Sequence, residues 1–224
     1  MSVEVERKFV CDPEIQKTLK DVGAVCAGQR QFEDQYFDTA DFSLTLRDFW
    51  LRRRDGCWEL KCSTGSGIHK GNGAEGMCSR YREITSVPRI KAEVTALVKG
   101  GFGKAAGDHG ELAASDISDK WLIEMNLSCF AKFTTQRCSF LLQDEENEGK
   151  VRIDLDQADF GYCVGEIEII VSEGYDVQAA LRKIEDTANK LGLTGEQRVQ
   201  GKMDVYLQRY CPDHYAKLLN AHIL

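Results

Sequence analysis

From Val3 to Phe9 the chain sets Val3, Val5 and Phe9 at odd positions and Glu4, Glu6 and Lys8 between them. A β-strand sends residues two apart to the same face, so this segment would carry one largely apolar face and one wholly ionic face. Alone, it fits an edge strand that shows its charges to water. The pattern recurs, however, with complementary charges. Trp50, Arg52 and Arg54 share a face; Glu59 and Lys61 oppose Trp58 and Leu60; Asp154 and Asp156 oppose Ile153 and Leu155; Glu166 and Glu168 oppose Ile167 and Ile169; Arg137 lies between Thr135 and Ser139. A solvent-facing sheet usually mixes Lys, Thr, Ser and Gln, whereas these faces hold acids and arginines with few neutral spacers. Closing the sheet into a barrel would turn the ionic faces inward, toward one another, and the apolar faces outward. Arg7 and Arg53, on the opposite parity, are expected outside and without a role.

The remaining segments read as α+β, mainly β. Asp12-Pro13 begins a short helix with Ile15, Leu19 and Val22 on one face, ending at Gly23. Residues 32–37, 50–54, 57–62 and 79–85 read as strands, with Asp55-Gly56 as a tight hairpin turn. A helix from Pro88 buries Ile90, Val94, Leu97 and Val98, and two strands are expected within 121–143. Residues 151–156 and 162–171 make a further pair, and a helix over 176–191 closes at Gly192. The glycine-rich stretches 63–78 and 100–111 are expected to be mobile connections. No linker divides the chain, so residues 1–224 are expected to form one domain.

A formal charge of −7 opposes general binding to a nucleic-acid backbone, though not a local cationic pocket. No apolar run is long enough to span a bilayer and no leader pattern is present, which leads us to expect a cytoplasmic chain. The nine cysteines include no C-x-x-C pair and are expected to be reduced thiols. The four histidines, at 69, 109, 214 and 222, show no metal or triad spacing, so nucleophilic serine or cysteine chemistry has no base in view.

An ionic barrel interior suits a polyanion. Arginine's planar fork grips phosphate oxygens bidentately and lysine acts as a point charge. Carboxylates without imidazole or thiolate select Mg²⁺, with Mn²⁺ as an alternative, over zinc.

The run Glu4-x-Glu6-x-Lys8 resembles the signature of the CYTH superfamily of triphosphate tunnel metalloenzymes. The segments WLRRRDGCWELKC (50–62), RIDLDQADFGYCVGEIE (152–168) and KMDVYLQRY (202–210) are similar, more narrowly, to vertebrate thiamine triphosphatases. The resemblance implies an eight-stranded antiparallel barrel, open as a tunnel, that hydrolyses thiamine triphosphate with Mg²⁺. It implies Glu4, Glu6, Asp154 and Glu168 as metal-side carboxylates. Lys8, Arg52, Arg54, Lys61, Arg137 and Lys202 become triphosphate contacts. Tyr36 and Lys61 become the dyad that orients or deprotonates the attacking water, Trp50 stacks on the organic cation, and Glu166 holds a second metal or faces that cation. A lysine among several cations is expected to have a depressed pKa, which would let Lys61 accept a proton. Glu83 is on the catalytic side if its strand parity allows. Lys202, apart from the resemblance, would be a solvated helix lysine, and Trp50 a core tryptophan. Other readings are an inorganic or other organic triphosphate hydrolase of the same fold, or a non-catalytic polyphosphate-binding module. A monomer acting on a small molecule is expected, with no nucleic-acid or membrane partner.

Overall fold

The computed structural model describes residues 2–64, 74–100, 119–143, 150–172, 177–193, 195 and 198–224. Most of the two glycine-rich stretches, with His69 and His109, lies outside the described residues. Eight strands close in the order β1-β5-β4-β3-β2-β6-β7-β8, and each neighbouring pair is antiparallel. They are β1 (Ser2–Phe9), β2 (Val25–Asp38), β3 (Phe49–Arg54), β4 (Cys57–Ser63), β5 (Cys78–Ile84), β6 (Ser128–Gln143), β7 (Lys150–Ala158) and β8 (Tyr162–Ser172). Closure matters because an open sheet would leave an ionic face in water and edges unpaired.

Local chemistry sets the corners. Asp55 and Gly56 both have positive φ, 47° and 85°, the combination that a two-residue type I′ turn requires between β3 and β4. Helix α1 (Ile15–Asp21) follows Asp12, whose Oδ1 accepts the Glu14 N–H at 2.7 Å. Helix α2 (Val87–Lys99) has a proline in its first turn and ends on Gly100 in the left-handed conformation.

The region 121–143 departs from expectation. It holds a short helix, α3 (Lys120–Glu124), and a single 16-residue strand, β6. Trp121 and Leu122 are adjacent, a spacing that suits neither strict alternation nor a long stripe. Tertiary contact decides: both are buried, and Trp121 meets the Trp58 ring edge-on with centroids 5.1 Å apart.

The apolar faces point outward and are covered by helices. Helix α4 (Val177–Lys190) lays Leu181, Ile184 and Ala188 over Val5, Ile153 and Ile167. Ile184, Ile153 and Ile167 are fully buried, worth about 1.5–3 kcal/mol each relative to exposure. Gly165 belongs to this layer: a Cβ there would lie 2.1 Å from Phe9 Cζ, so only glycine lets the ring lie flat on β8. On the other flank, α2 and α3 cover Leu51 and Leu60 with Ile90, Val94 and Trp121. Helices α5 (Lys202–Tyr210) and α6 (Pro212–Asn220) instead bring Leu207 and Leu218 against Tyr36, Trp50, Ala131 and Phe133. These four share strand parity with the charged residues, so the last two helices pack at one end of the barrel interior.

Arg53 lies outside, as expected, with its guanidinium on Gln35 Oε1 at 2.8 Å and on Asp119 at 2.9 Å. Arg7 also points outward but is not idle. It is 6% exposed and donates to the carbonyls of Leu193, at 3.0 Å, and Gly195, tying the segment after α4 to β1. All nine cysteines are free thiols.

Candidate active site

The register brings the ionic residues together. Glu4 pairs across from Tyr81, Glu6 from Ser79 and Glu168, Lys8 from Glu166, Tyr36 from Arg52, Lys61 from Glu83, and Asp154 from Glu166. All these side chains face inward, and a cavity runs along the barrel among them. It is lined by Glu4, Glu6, Lys8, Tyr36, Trp50, Arg52, Arg54, Lys61, Arg137, Glu166 and Lys202. Of the residues singled out from sequence, Asp154, Glu168 and Glu83 are not part of this lining but lie next to it, against Arg137, Glu6 and Lys61 respectively.

Each cation is matched by an acid. Lys8 contacts Glu6, Lys61 contacts Glu4, and Lys202 contacts Asp156. Arg52 lies 2.5 Å from Glu59, and Arg54 grips both oxygens of Asp34 at 2.7 and 2.8 Å. Arg137 takes both oxygens of Asp156 at 2.6 Å and reaches Glu166 at 2.9 Å. Phe32, 2% exposed inside the barrel, lies under this group, with Arg54 4.0 Å and Arg137 5.4 Å from its ring centroid.

Glu83 is settled by geometry: it lies 3.2 Å from Lys61 and 3.7 Å from Arg52, so it faces inward. Lys202 is not a solvated lysine. It opens α5, is buried, and also reaches Glu166 at 3.5 Å. Trp50 is 8% exposed; it packs in the apolar cluster with Tyr36, Leu207 and Leu218 and also lines the cavity.

The expected depression of Lys61 is reversed. Burial disfavours its charge, but Glu4, with Glu6 and Glu83, overrides both burial and the repulsion of Arg52, so its pKa is raised. The same balance raises Lys8, where Glu6 and Glu166 outweigh burial. Sequence reasoning weighed the neighbouring cations and missed how closely the carboxylates sit. Burial would raise Glu166, yet Lys202, Arg137 and Lys8 hold it well below the usual range. Glu168 goes the other way: burial and the carboxylates of Glu4 and Asp154 push it up to about 7 against the pull of Arg152.

Among the described residues no group of three acids converges closely enough to hold an ion as it stands, because the acids are held by cations. The donor chemistry nevertheless suits a hard divalent ion. Asp154 Oδ2 is buried and has no aligned hydrogen-bond donor, although Arg137 Nη1 lies 2.5 Å away as a charge contact. Beside it, the Glu168 carboxyl is pushed up to about 7 by burial and by the charges of Glu4 and Asp154, despite Arg152 and Lys61. Oxygen-only donors of this kind suit Mg²⁺ or Mn²⁺.

Asp34, Asp156, Glu59 and Phe32 were not singled out as site residues from sequence. Strand parity extended to β2 would have found Asp34 and Phe32. His214 was also missed as a buried group. Thr45 Oγ1 donates to Asp38 Oδ2 at 2.7 Å and so accepts from His214 Nε2 at 2.8 Å, leaving the buried Nδ1 without a partner. This chain ties α6 to the turn before β3. Thr45 does not line the cavity, so the arrangement is an anchor and not a nucleophile.

The CYTH domain family matches residues 2–201. This chain is a member of the CYTH family. It is 37% identical to the thiamine-triphosphatases of Homo sapiens and Macaca fascicularis, covering 98% of this chain and 90% of each relative. The CYTH barrel is also similar to the PH1819 protein of Pyrococcus horikoshii, with a TM-score of 0.55, 18% identity, and 92% and 99% of the two chains covered. It is similar to HpAC1 of Hippeastrum, an adenylyl cyclase homologue described as having a dominant triphosphatase activity, with a TM-score of 0.52, 18% identity, and 93% and 96% covered. At those identities the two structures speak for the fold alone. No described helix of this CYTH chain is long and apolar enough to cross a membrane.

Proposed function

We propose that the protein hydrolyses thiamine triphosphate to thiamine diphosphate and phosphate, with Mg²⁺ (or Mn²⁺) as cofactor, as a cytoplasmic monomer. One observation carries the reading: the cavity lining has two chemically different parts. One is the set of cations Lys8, Arg52, Arg54, Lys61 and Arg137; the other is the apolar cluster to which Trp50, Met203, Ile223 and Leu224 belong. The first suits a polyphosphate and the second a flat organic group. The full-length similarity to proteins named thiamine-triphosphatase supports the same assignment.

Phosphoryl transfer passes through a loose transition state whose charge spreads over the equatorial oxygens, so positioning and fixed positive charge do most of the catalysis. Lys8, Arg52, Arg54, Arg137 and Lys202 exchange their carboxylate partners for phosphate oxygens. Glu4, Glu6, Asp154 and Glu168 would hold the divalent ion, which would supply further neutralisation of the phosphates. Glu166, fixed by Lys202 and Arg137, orients those two cations. With Glu4 and Glu83 beside it, Lys61 acts as a cation and not as a base. Tyr36, paired across from Arg52, orients the attacking water with it. Trp50 offers its face to the thiazolium.

Hydrolysis of thiamine triphosphate, ATP and tripolyphosphate should be measured side by side for the natural protein and Trp50→Ala. Thiamine triphosphate is expected to be preferred, and Trp50→Ala to lower its specificity constant by about threefold to thirtyfold while tripolyphosphate changes little. A parallel loss on both substrates would make Trp50 a packing residue. No preference in the natural protein would favour an inorganic triphosphatase, which needs only the cationic part.

A further inference from the structure

Asp48 ends the 3₁₀ turn Thr45–Arg47 and has left-handed backbone angles, φ 59° and ψ 39°. A non-glycine residue pays a steric cost there that Asp and Asn tolerate best, and such positions persist where the surroundings fix them. Here the Asp48 N–H donates to the Thr45 carbonyl at 3.0 Å, and its carbonyl accepts the Ser63 N–H at 3.2 Å. The side chain so placed has one specific job. Its Oδ1 accepts the indole N–H of Trp50 at 2.8 Å and the hydroxyl of Tyr81 at 3.3 Å. Trp50 is on β3 and Tyr81 on β5, with β4 between them in the barrel, so one carboxylate oxygen joins two strands that do not touch.

Both rings line the cavity, whereas Asp48 does not. It stands behind them. We propose that Asp48 is a positioning residue for the organic end of the substrate: it locks the Trp50 and Tyr81 rings into one seat and raises the affinity of that seat for a cationic heteroaromatic ring. The inference rests on the thiamine triphosphate reading. Two physical effects act together. A hydrogen bond from a neutral N–H to a carboxylate is stronger than one between neutral groups, so the indole plane is fixed before substrate arrives. The same bond pushes electron density into the indole, which deepens the negative potential of the face that meets a cation. Tyr81 keeps its proton for this bond, since burial and the Asp48 charge both raise its pKa.

Because Asn and Gly both accept left-handed angles, Asp48→Asn and Asp48→Gly separate the side chain from the backbone. Asn keeps an oxygen for the Trp50 N–H and loses the charge; Gly loses both. The measurement is kcat and KM for thiamine triphosphate and tripolyphosphate, in each variant and in combination with Trp50→Ala. Asp48→Gly should lower the ratio of the two specificity constants by about tenfold, through KM for thiamine triphosphate, and Asp48→Asn by roughly threefold. In the Trp50→Ala background each change should lower the ratio by clearly less than it does alone, because only the Tyr81 ring is left for Asp48 to hold. Equal losses on both substrates, a loss confined to kcat, or full additivity with Trp50→Ala would overturn the proposal. A natural protein without preference for thiamine triphosphate would instead overturn the underlying functional reading, and this inference with it. Asp48→Asn, which preserves the hydrogen bond, keeps the test decisive if the Gly variant is poorly folded.

Discussion

Glu168 on β8 is 7% exposed and faces Glu6 on β1 and Arg152 on β7. Burial, with Glu4 and Asp154 adding to it, pushes its pKa up to about 7. A divalent ion held by these carboxylates has to displace that proton. For one competing proton the apparent dissociation constant scales as 1 + 10^(pKa − pH), which gives roughly a tenfold tightening of Mg²⁺ between pH 6 and pH 8 and a plateau above. About half a proton should be released per Mg²⁺ bound at pH 7. Calorimetric Mg²⁺ titrations in two buffers of different ionisation enthalpy measure both quantities. A second signature has the opposite sign to the usual acidic residue. Because the folded pKa lies above the unfolded value near 4.5, the folded state holds the extra proton, and metal-free stability falls as pH rises from 4.5 to 7. The loss is about 3 kcal/mol at most. Glu168→Gln should therefore raise the denaturation midpoint of the metal-free protein at pH 8 while weakening Mg²⁺ and flattening its pH dependence. A Mg²⁺ affinity that is constant from pH 6 to pH 8, or a Gln variant less stable than the natural protein at pH 8, would refute the reasoning.

Arg54→Ala should lower triphosphate turnover severely and cost about 3–5 kcal/mol of stability, because Asp34, which has no exposed surface, is left without its cation. Arg53→Ala should cost only about 1 kcal/mol of stability and leave kcat and KM near those of the natural protein; equal kinetic losses at the two sites would contradict the inward and outward assignment. Burial and Lys217 lower His214 to about 4, so the unfolded chain takes up a proton that the folded one refuses. Between pH 6.5 and pH 4 this residue should remove about 1.4 kcal/mol of stability per pH unit, and denaturant titrations of His214→Gln should show a correspondingly shallower pH dependence.

Much of the barrel was written in strand parity. The Val3–Phe9 alternation, repeated over residues 50–62 and 151–169, specifies strands with one ionic face, and the inward placement of Glu4, Arg52, Lys61, Asp154 and Glu168 follows from counting by two. The turn at Asp55-Gly56 and the end of α2 at Gly100 were also legible, because each needs a backbone conformation that few residues adopt. The stretch 120–128 was not. Trp121-Leu122-Ile123 has no decisive period, and only contact with Trp58 makes it a helix.

What only the tertiary structure decided is which charges meet. Sequence shows a lysine among arginines at position 61; the β1-β5-β4 order brings Glu4 and Glu83 against it and reverses the expected shift in pKa. Lys202 reads as a solvated helix position until α5 packs at the barrel end and gives it Asp156. Asp48 and Tyr81 are 33 residues apart, and nothing local couples them. Strand parity is a property of the nearest neighbours along the chain. Electrostatic environment is a sum over neighbours in space, and closure of the barrel selects those neighbours.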